Sequence, residues 1–291
     1  MRKALHFVFL PLLCAVLAGC NTMGDRPNAQ AAYDQVRDRF AEQESFAFYG
    51  QTKLLTGDTA NANVVSFSGR KHKEGILMNV KLSQPEQKRV QTLSLLTRQE
   101  RLFVKQESER EWKSAGLDGS FRQELNNWDP VFAFRQMDEM KKSVLPLTDR
   151  NTADDIEAVR VLLDSTKLKN WLAEQMKQQA GLHVQSAHQP RLKLAMTLSD
   201  GAWRALRQGV SIQAAETNVD EMIDQMELEA EYTVYYNKTT MLPTSLVMSI
   251  RSEYDANNQR VLEHTREETF LQNYGQVQPL PNPTSAEKTS K

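Results

Sequence analysis

Alternating apolar and polar residues dominate the chain and predict extended strands over much of its length. The clearest case is Met226–Tyr236, where apolar residues fill every second position and mostly glutamates fill the positions between them. Residues 246–250 alternate in the same way, and a further strand is predicted over 260–271. Earlier in the chain, short alternating segments lie between Phe46 and Trp112, separated by turns rich in Gly, Asp, Asn and Pro. This succession predicts antiparallel strands that pair in sequence order.

Helical spacing of apolar residues interrupts the strands at three places, 31–44, 131–140 and 165–179. Asp129 and Pro130 open the second of these segments, with Asp suited to the N-cap and Pro to the first helical position. Helices that interrupt a long antiparallel meander indicate the α+β class. We therefore expect one α+β domain over residues 31–275 and a disordered, Pro- and Ser-rich tail over 276–291.

The first residues have the pattern of a targeting segment. Arg2 and Lys3 precede an apolar run, Ala4–Leu17, whose ~14 residues are too few to cross a hydrocarbon core about 30 Å thick. The run ends in Leu17, Ala18, Gly19 and Cys20, which resembles the lipobox of bacterial lipoproteins. The small residues suit a signal peptidase, and the Cys20 sulfur would accept a diacylglyceryl group. An ordinary secretory signal with a chance cysteine is the alternative.

The resulting expectation is a signal peptide over residues 1–19, removed before Cys20, and a lipidated tether over residues 20–30. Acyl chains such as palmitate on Cys20 would anchor the domain to the cell membrane on its extracytoplasmic face, because two chains together give stable attachment. Cys14 would be lost with the signal, so the mature chain would have no thiol for a disulfide or a metal.

The charge balance and the absence of known catalytic motifs exclude several classes of function. The chain has 36 Lys and Arg against 37 Asp and Glu, and such a balance argues against a nucleic-acid partner. His183 and His188 lack an acidic neighbour, and no phosphate loop, nucleophile elbow or zinc-protease motif occurs. We therefore predict no catalytic residues, no metal site, no cofactor and no enzymatic activity.

Two segments support a family resemblance. Tyr232–Pro243 (YTVYYNKTTMLP) and Thr269–Gly275 (TFLQNYG) resemble the closing strands of envelope lipoproteins of the LolA/LolB and LppX/LprG kind. They resemble most an uncharacterised family of Gram-positive lipoproteins. The resemblance implies a curved antiparallel half-barrel sheet with helices packed on its concave face. In characterised relatives that face holds acyl chains.

Residues that share one face of the predicted strands are the candidates for such a surface, since methionine and aromatic side chains adapt to irregular apolar ligands. They are Phe46, Phe48, Ile76, Met78, Val80, Leu228, Tyr232, Val234, Leu246, Met248 and Ile250. Two interpretations stay open, because a filled core under the helices would use the same residues as a lipid cavity. We expect a monomer that binds a lipid or other hydrophobic ligand, or alternatively a sensor module with a filled core that binds an envelope protein.

Overall fold

The computed structural model describes residues 28–56, 63–84, 89–99, 101–107, 109–115, 126, 128–148, 153–174, 221, 223–256 and 259–283. The predicted signal peptide, the lipobox residues Leu17, Ala18 and Gly19, and Cys20 lie outside these residues. Within them, no helix is long and apolar enough to cross a membrane.

The described strands form one antiparallel sheet. They are β1 (Phe46–Thr56), β2 (Asn63–His72), β3 (Gly75–Gln84), β4 (Arg89–Arg98), β5 (Arg101–Gln106), β6 (Lys113–Ala115), β7 (Lys141–Leu147), β8 (Ile156–Leu163), β9 (Glu227–Asn237), β10 (Pro243–Ala256) and β11 (Gln259–Gln272). Their order is β6-β5-β4-β3-β2-β1-β11-β10-β9-β8-β7. Two meanders therefore meet where β1 pairs with β11, and the sheet stays open between its edge strands β6 and β7. This is the predicted α+β half-barrel.

Alternation along the strands separates two faces of the sheet. In β9 the side chains from Glu227 to Tyr236 are alternately solvent-facing and buried. We call the face that bears the buried core the inner, concave face and the opposite one the outer face. On the outer face, Arg260 contacts Glu227 and Glu253 at 3.2 and 2.7 Å, so the glutamates of β9 and β10 lie among compensating charges.

Two glycines allow aromatic rings to lie flat on the inner face. Gly50 of β1 pairs with Phe67 of β2, and Phe48 of β1 pairs with Gly69 of β2. A Cβ atom at Gly50 would lie 2.6 Å from the Phe67 ring, and one at Gly69 would collide with the Phe48 ring. Each ring thus covers the glycine opposite it, which shields the exposed backbone of a strand glycine.

The longer helices among the described residues are α1 (Ala29–Ala41), α2 (Pro130–Met140) and α3, described over residues 165–174. As predicted, Asp129 caps α2, with its side chain accepting a hydrogen bond from the Val131 amide at 2.9 Å. Phe40 of α1 packs on Phe134 of α2, with ring centroids 4.8 Å apart. The buried side chains of α1 and α2 belong to the same core cluster as the inner face of the sheet.

The chain after β11 differs from the expectation of disorder over residues 276–283. Leu280 is 8% exposed, and the Pro279 carbonyl accepts a hydrogen bond from Arg70 at 3.2 Å. Asn282 accepts another from Arg98 at 3.1 Å. Because Arg70 and Arg98 project from the outer face, this segment crosses that face over β2–β4. Residues 284–291 lie outside the described part of the chain.

Candidate functional site

The predicted apolar residues lie together on the inner face. Strand register aligns Val234 with Leu246, and Tyr232 with Met248. On the other side of the seam between β1 and β11, Phe48 faces Gly69, which in turn faces Met78. The eleven residues therefore span six adjacent strands from β3 to β9, a width of about 24 Å at about 4.8 Å per strand spacing.

Burial separates these residues into two groups. Eight are at most 5% exposed: Phe46, Phe48, Met78, Val80, Leu228, Tyr232, Val234 and Leu246. Ile76, Met248 and Ile250 are half-buried and pack against the same cluster. All eleven residues lie on the inner face, and their role as ligand contacts stays a prediction.

Side chains from the helices cover parts of this face. The Phe40 ring of α1 lies 4.9 Å from the ring of Phe46. Gln136 of α2 reaches β9, where the Tyr232 hydroxyl donates to its Oε1 at 2.6 Å. Trp128, just before α2, stacks on Phe67 at 6.0 Å. The helices thus contact both halves of the sheet.

A polar stripe, which the sequence analysis did not identify, runs through the middle of the inner face. It follows β11, with two flanking residues from β1 and β10, and all its members are at most 8% exposed: Glu263, Thr265, Glu267, Thr269, Thr52 and Ser252. In the sequence, the one indication was that these β11 residues and the apolar Leu271 occupy every second position, which places them on the same face of a strand. The apolar pattern of β11 was ambiguous, because its apolar residues occur on both faces.

Glu267 is the centre of a hydrogen-bond chain within this stripe. The Trp128 indole donates to Thr52 Oγ1 at 3.2 Å, and Thr52 Oγ1 donates to Glu267 Oε2 at 2.9 Å. On the other side, Thr269 Oγ1 lies 3.4 Å from Glu267 Oε1. The chain links the segment before α2 to both strands of the seam.

Burial determines the protonation of this cluster. It raises the pKa of Glu267 from 4.5 to about 8, although the hydrogen bonds from Thr52 and Thr269 act in the opposite direction. Burial also raises the pKa of Tyr232, and the nearby Glu267 raises it further. Both shifts favour the protonated, uncharged form of the side chain near neutral pH.

Among the described contacts, the one that most resembles a pair of nucleophile and general base lies on the other face of the sheet. Ser249 Oγ and His264 Nε2 are 3.0 Å apart on the outer face of β10 and β11. Burial and the neighbouring Arg251 and Arg266 lower the pKa of His264. Within the described residues, no group of three or more His, Cys, Asp or Glu side chains is arranged to hold a metal ion.

The chain has structural relatives of low sequence identity. It is similar to LprF from Mycobacterium bovis, with a TM-score of 0.42 and 12% identity over 88% of this chain and 97% of that one. It is also similar to the lipoprotein LppX from Mycobacterium tuberculosis, with a TM-score of 0.38 and 8% identity over 87% and 98%. A LolA superfamily protein from Nitrosomonas europaea has a TM-score of 0.28 and 12% identity over 88% and 96%.

These are the kinds of protein that the closing strands were predicted to resemble, whereas the nearer likeness to a Gram-positive family stays a prediction. No protein-family model and no curated protein matches the chain. Identities this low and TM-scores below 0.5 assign no function, so the function proposed below depends on this chain's own residues.

Proposed function

We propose that this chain is a membrane-anchored, extracytoplasmic lipoprotein that holds a lipid or another hydrophobic ligand against its inner face and performs no catalysis. The supporting observation is that apolar residues cover the inner face of an open sheet on both sides of the polar stripe, on β3 and β1 to one side and on β10 and β9 to the other. Because most of these residues are buried, a ligand would have to enter from an open edge of the sheet or displace side chains of the helices that cover it.

The energetics suit an acyl ligand. Each methylene group moved from water onto an apolar surface contributes about 0.8 kcal/mol. A ligand with long chains could therefore be held without any ion pair. The half-buried Met248 and Ile250 are suitable contacts, since they already pack against the core cluster and retain some exposure.

The proposed lipid on Cys20 would supply the second part of the mechanism. It would keep the domain at the membrane surface, where a ligand can pass between the bilayer and the inner face. Residues 21–27 would then be the tether between the anchor and α1, which begins at Ala29.

Native mass spectrometry of the protein purified from its own envelope, followed by organic extraction, tests this proposal. We expect a stoichiometric lipid-sized adduct that is lost in Ile250→Lys and retained in Val247→Lys. Both residues lie on β10 and are half-buried, but Ile250 belongs to the inner face and Val247 to the outer one. A clean apo mass for the wild-type protein would contradict the proposal.

A protein-binding or sensor module with a filled core is the second candidate. The close packing of Phe40 on Phe46 and Phe134 favours it, because rings so placed leave no room between helix and sheet at that end. A wild-type protein with no copurifying lipid, but with a specific envelope protein bound, would support this function instead.

A further inference from the structure

We propose that a groove on the outer face of the sheet, beside the segment that follows β11, binds a saccharide with an acidic group, either a carboxylate or a phosphate. The groove has a volume of about 500 Å³, which lies within the range of about 300–1,000 Å³ that small-molecule sites occupy. It lies on the face opposite the proposed acyl-binding surface, so this inference is independent of the function proposed above.

Strands β1, β2 and β3 form the floor of the groove in two rows. Cross-strand register places Tyr49, Ser68 and Asn79 side by side in the first row. Arg70 and Leu77 are paired in the second row. All five residues line the groove, and because they alternate with inner-face residues, their side chains project outward.

The segment after β11 forms a wall of the groove through residues 276–278. The Pro279 carbonyl, one residue farther along, accepts a hydrogen bond from Arg70 at 3.2 Å. Leu280 is buried and fixes the segment on the sheet. The wall is therefore in place without a ligand, so the groove is preformed.

Arg70 is the one charged residue among those that line the groove. Its Nη2 donates to the Pro279 carbonyl, whereas its Nε is buried and has no hydrogen-bond partner. Within the described chain, no carboxylate forms an ion pair with this guanidinium. A small rotation of the side chain would bring the free donor to an oxyanion in the groove. The planar guanidinium suits the paired oxygens of a carboxylate or a phosphate.

The other polar side chains of the groove are uncharged. Amide groups come from the floor and from the end of β11 with the segment that follows it: Asn79, Gln272, Asn273, Gln276 and Gln278. An amide has both donors and acceptors, and a hydroxyl group requires both because it donates and accepts. Many amides around a single cation therefore suit a ligand with many hydroxyl groups and one acidic group.

Tyr49 adds an aromatic surface to the groove. Its side chain is 45% exposed, and its ring stacks on Phe270 with centroids 5.2 Å apart. Phe270 belongs to β11, whereas the groove extends over β2, on the other side of Tyr49. The ring face towards the groove is thus available to the C–H groups of a pyranose, whose partial positive charge is attracted to the electron-rich face of an aromatic ring.

Calorimetric titration with matched disaccharides tests the inference. The full chain, as its host produces it, is titrated with cellobiose, cellobiouronic acid and cellobiose 6′-phosphate, which share a backbone and differ in the acidic group. We expect both acidic sugars to bind at least about tenfold more tightly than cellobiose, because hydrogen bonds between charged groups are the stronger ones. Inorganic phosphate should bind more weakly than the sugar phosphate, since it cannot reach the amides and the Tyr49 ring together.

Three variants locate the binding. Arg70→Gln retains a polar group without the charge, so it should bind the three disaccharides with equal affinity. Tyr49→Ser should weaken all three by a similar factor through loss of the ring. Arg160→Gln is the matched control, because this outer-face arginine lies on β8, five strands from β2, and its affinities should equal those of the wild type. Circular dichroism verifies that each variant is folded.

Four results would overturn the inference. The first two are equal affinity of the wild-type protein for the three disaccharides and no binding of any of them. The third is an acid preference that survives Arg70→Gln, since the binding would then lie elsewhere. The fourth is inorganic phosphate that binds as tightly as the sugar phosphate, which would indicate an anion site without sugar recognition. None of these results involves an acyl lipid, so the proposed function is tested separately.

Discussion

Thr52 and Glu267 face each other across the seam of the sheet, with Thr52 Oγ1 2.9 Å from Glu267 Oε2 although 215 positions separate them in the chain. β1 and β11, the first and last described strands along the chain, thus meet at the centre of the sheet through a buried polar contact. Because Trp128 also donates to Thr52, the same contact ties the segment before α2 to both meanders. The seam is therefore held by buried side-chain hydrogen bonds as well as by the pairing of β1 with β11.

The pH dependence of stability should reveal the neutral carboxyl of Glu267. Between pH 4.5 and about 8, the native protein keeps a proton that the unfolded chain releases, so Glu267 stabilises the fold less and less as the pH rises. Glu267→Gln should gain stability relative to wild type by up to about 1.4 kcal/mol per pH unit across this window. Urea unfolding of both proteins at pH 5 and 8 measures the difference.

Glu268→Gln is the matched control, because the neighbouring carboxylate lies on the outer face, where Arg266 lowers its pKa. Its contribution to stability is present above the unfolded pKa and is lost as the pH falls through the folded value. Between pH 5 and 8, therefore, the effect of Glu268→Gln should stay nearly constant, while that of Glu267→Gln should change with pH. A pH-independent effect of Glu267→Gln would mean that Glu267 is ionised in the folded protein.

Trp128→Phe should weaken the seam. The substitution retains an aromatic ring next to Phe67 but removes the indole donor to Thr52, and it leaves space beside a buried hydroxyl. We expect a loss of about 1–3 kcal/mol in the free energy of unfolding. Trp112→Phe is the comparison, because Trp112 is half-buried outside the core and pairs with Lys105 at 5.2 Å. An equal effect of both substitutions would contradict the importance of the hydrogen-bond chain.

The close packing of aromatic rings on the glycines of β1 and β2 predicts that a larger residue at these positions destabilises the fold. A Cβ at Gly50 would collide with the Glu268 carbonyl and lie 2.6 Å from Phe67, so Gly50→Ala should cost about 2–3 kcal/mol of stability. Gly275 has a φ of +71° but nothing within 4 Å, so Gly275→Ala should cost only about 1 kcal/mol through backbone strain. Thermal unfolding compares the two, and a larger loss at Gly275 would refute the proposed packing.

The sequence pattern predicted the inner face well because strand residues such as Leu228, Val234 and Leu246 alternate cleanly with polar ones. It did not predict the stripe of β11, where Leu262 and Phe270 point outward and Leu271 points inward. Register with β1 and β10, which no local pattern encodes, determines which face of that strand is buried. Residues 276–283 are likewise placed by long-range contacts with Arg70 and Arg98. Composition does not encode such contacts, and for that reason it suggested disorder there.

The predicted lipidation has a direct test in the host. Growth with an alkyne-labelled palmitate should label the wild-type protein and leave Cys20→Ser unlabelled, because the substitution removes the only sulfur in the mature chain that can accept an acyl group. Cys20→Ser should also retain the signal segment and migrate as the larger precursor. Label on the variant, or its normal processing, would favour the ordinary secretory signal.

Photo-cross-linking with a diazirine-bearing acyl lipid tests the central claim most directly, because it reports which face of the sheet the chains touch. The account predicts cross-links to inner-face residues, above all the half-buried Ile76, Met248 and Ile250. Exposed outer-face residues such as Val90, Leu262 and Phe270 should stay unlabelled. Labelling confined to those outer residues, or no labelling at all, would contradict the half-barrel as a lipid-binding surface.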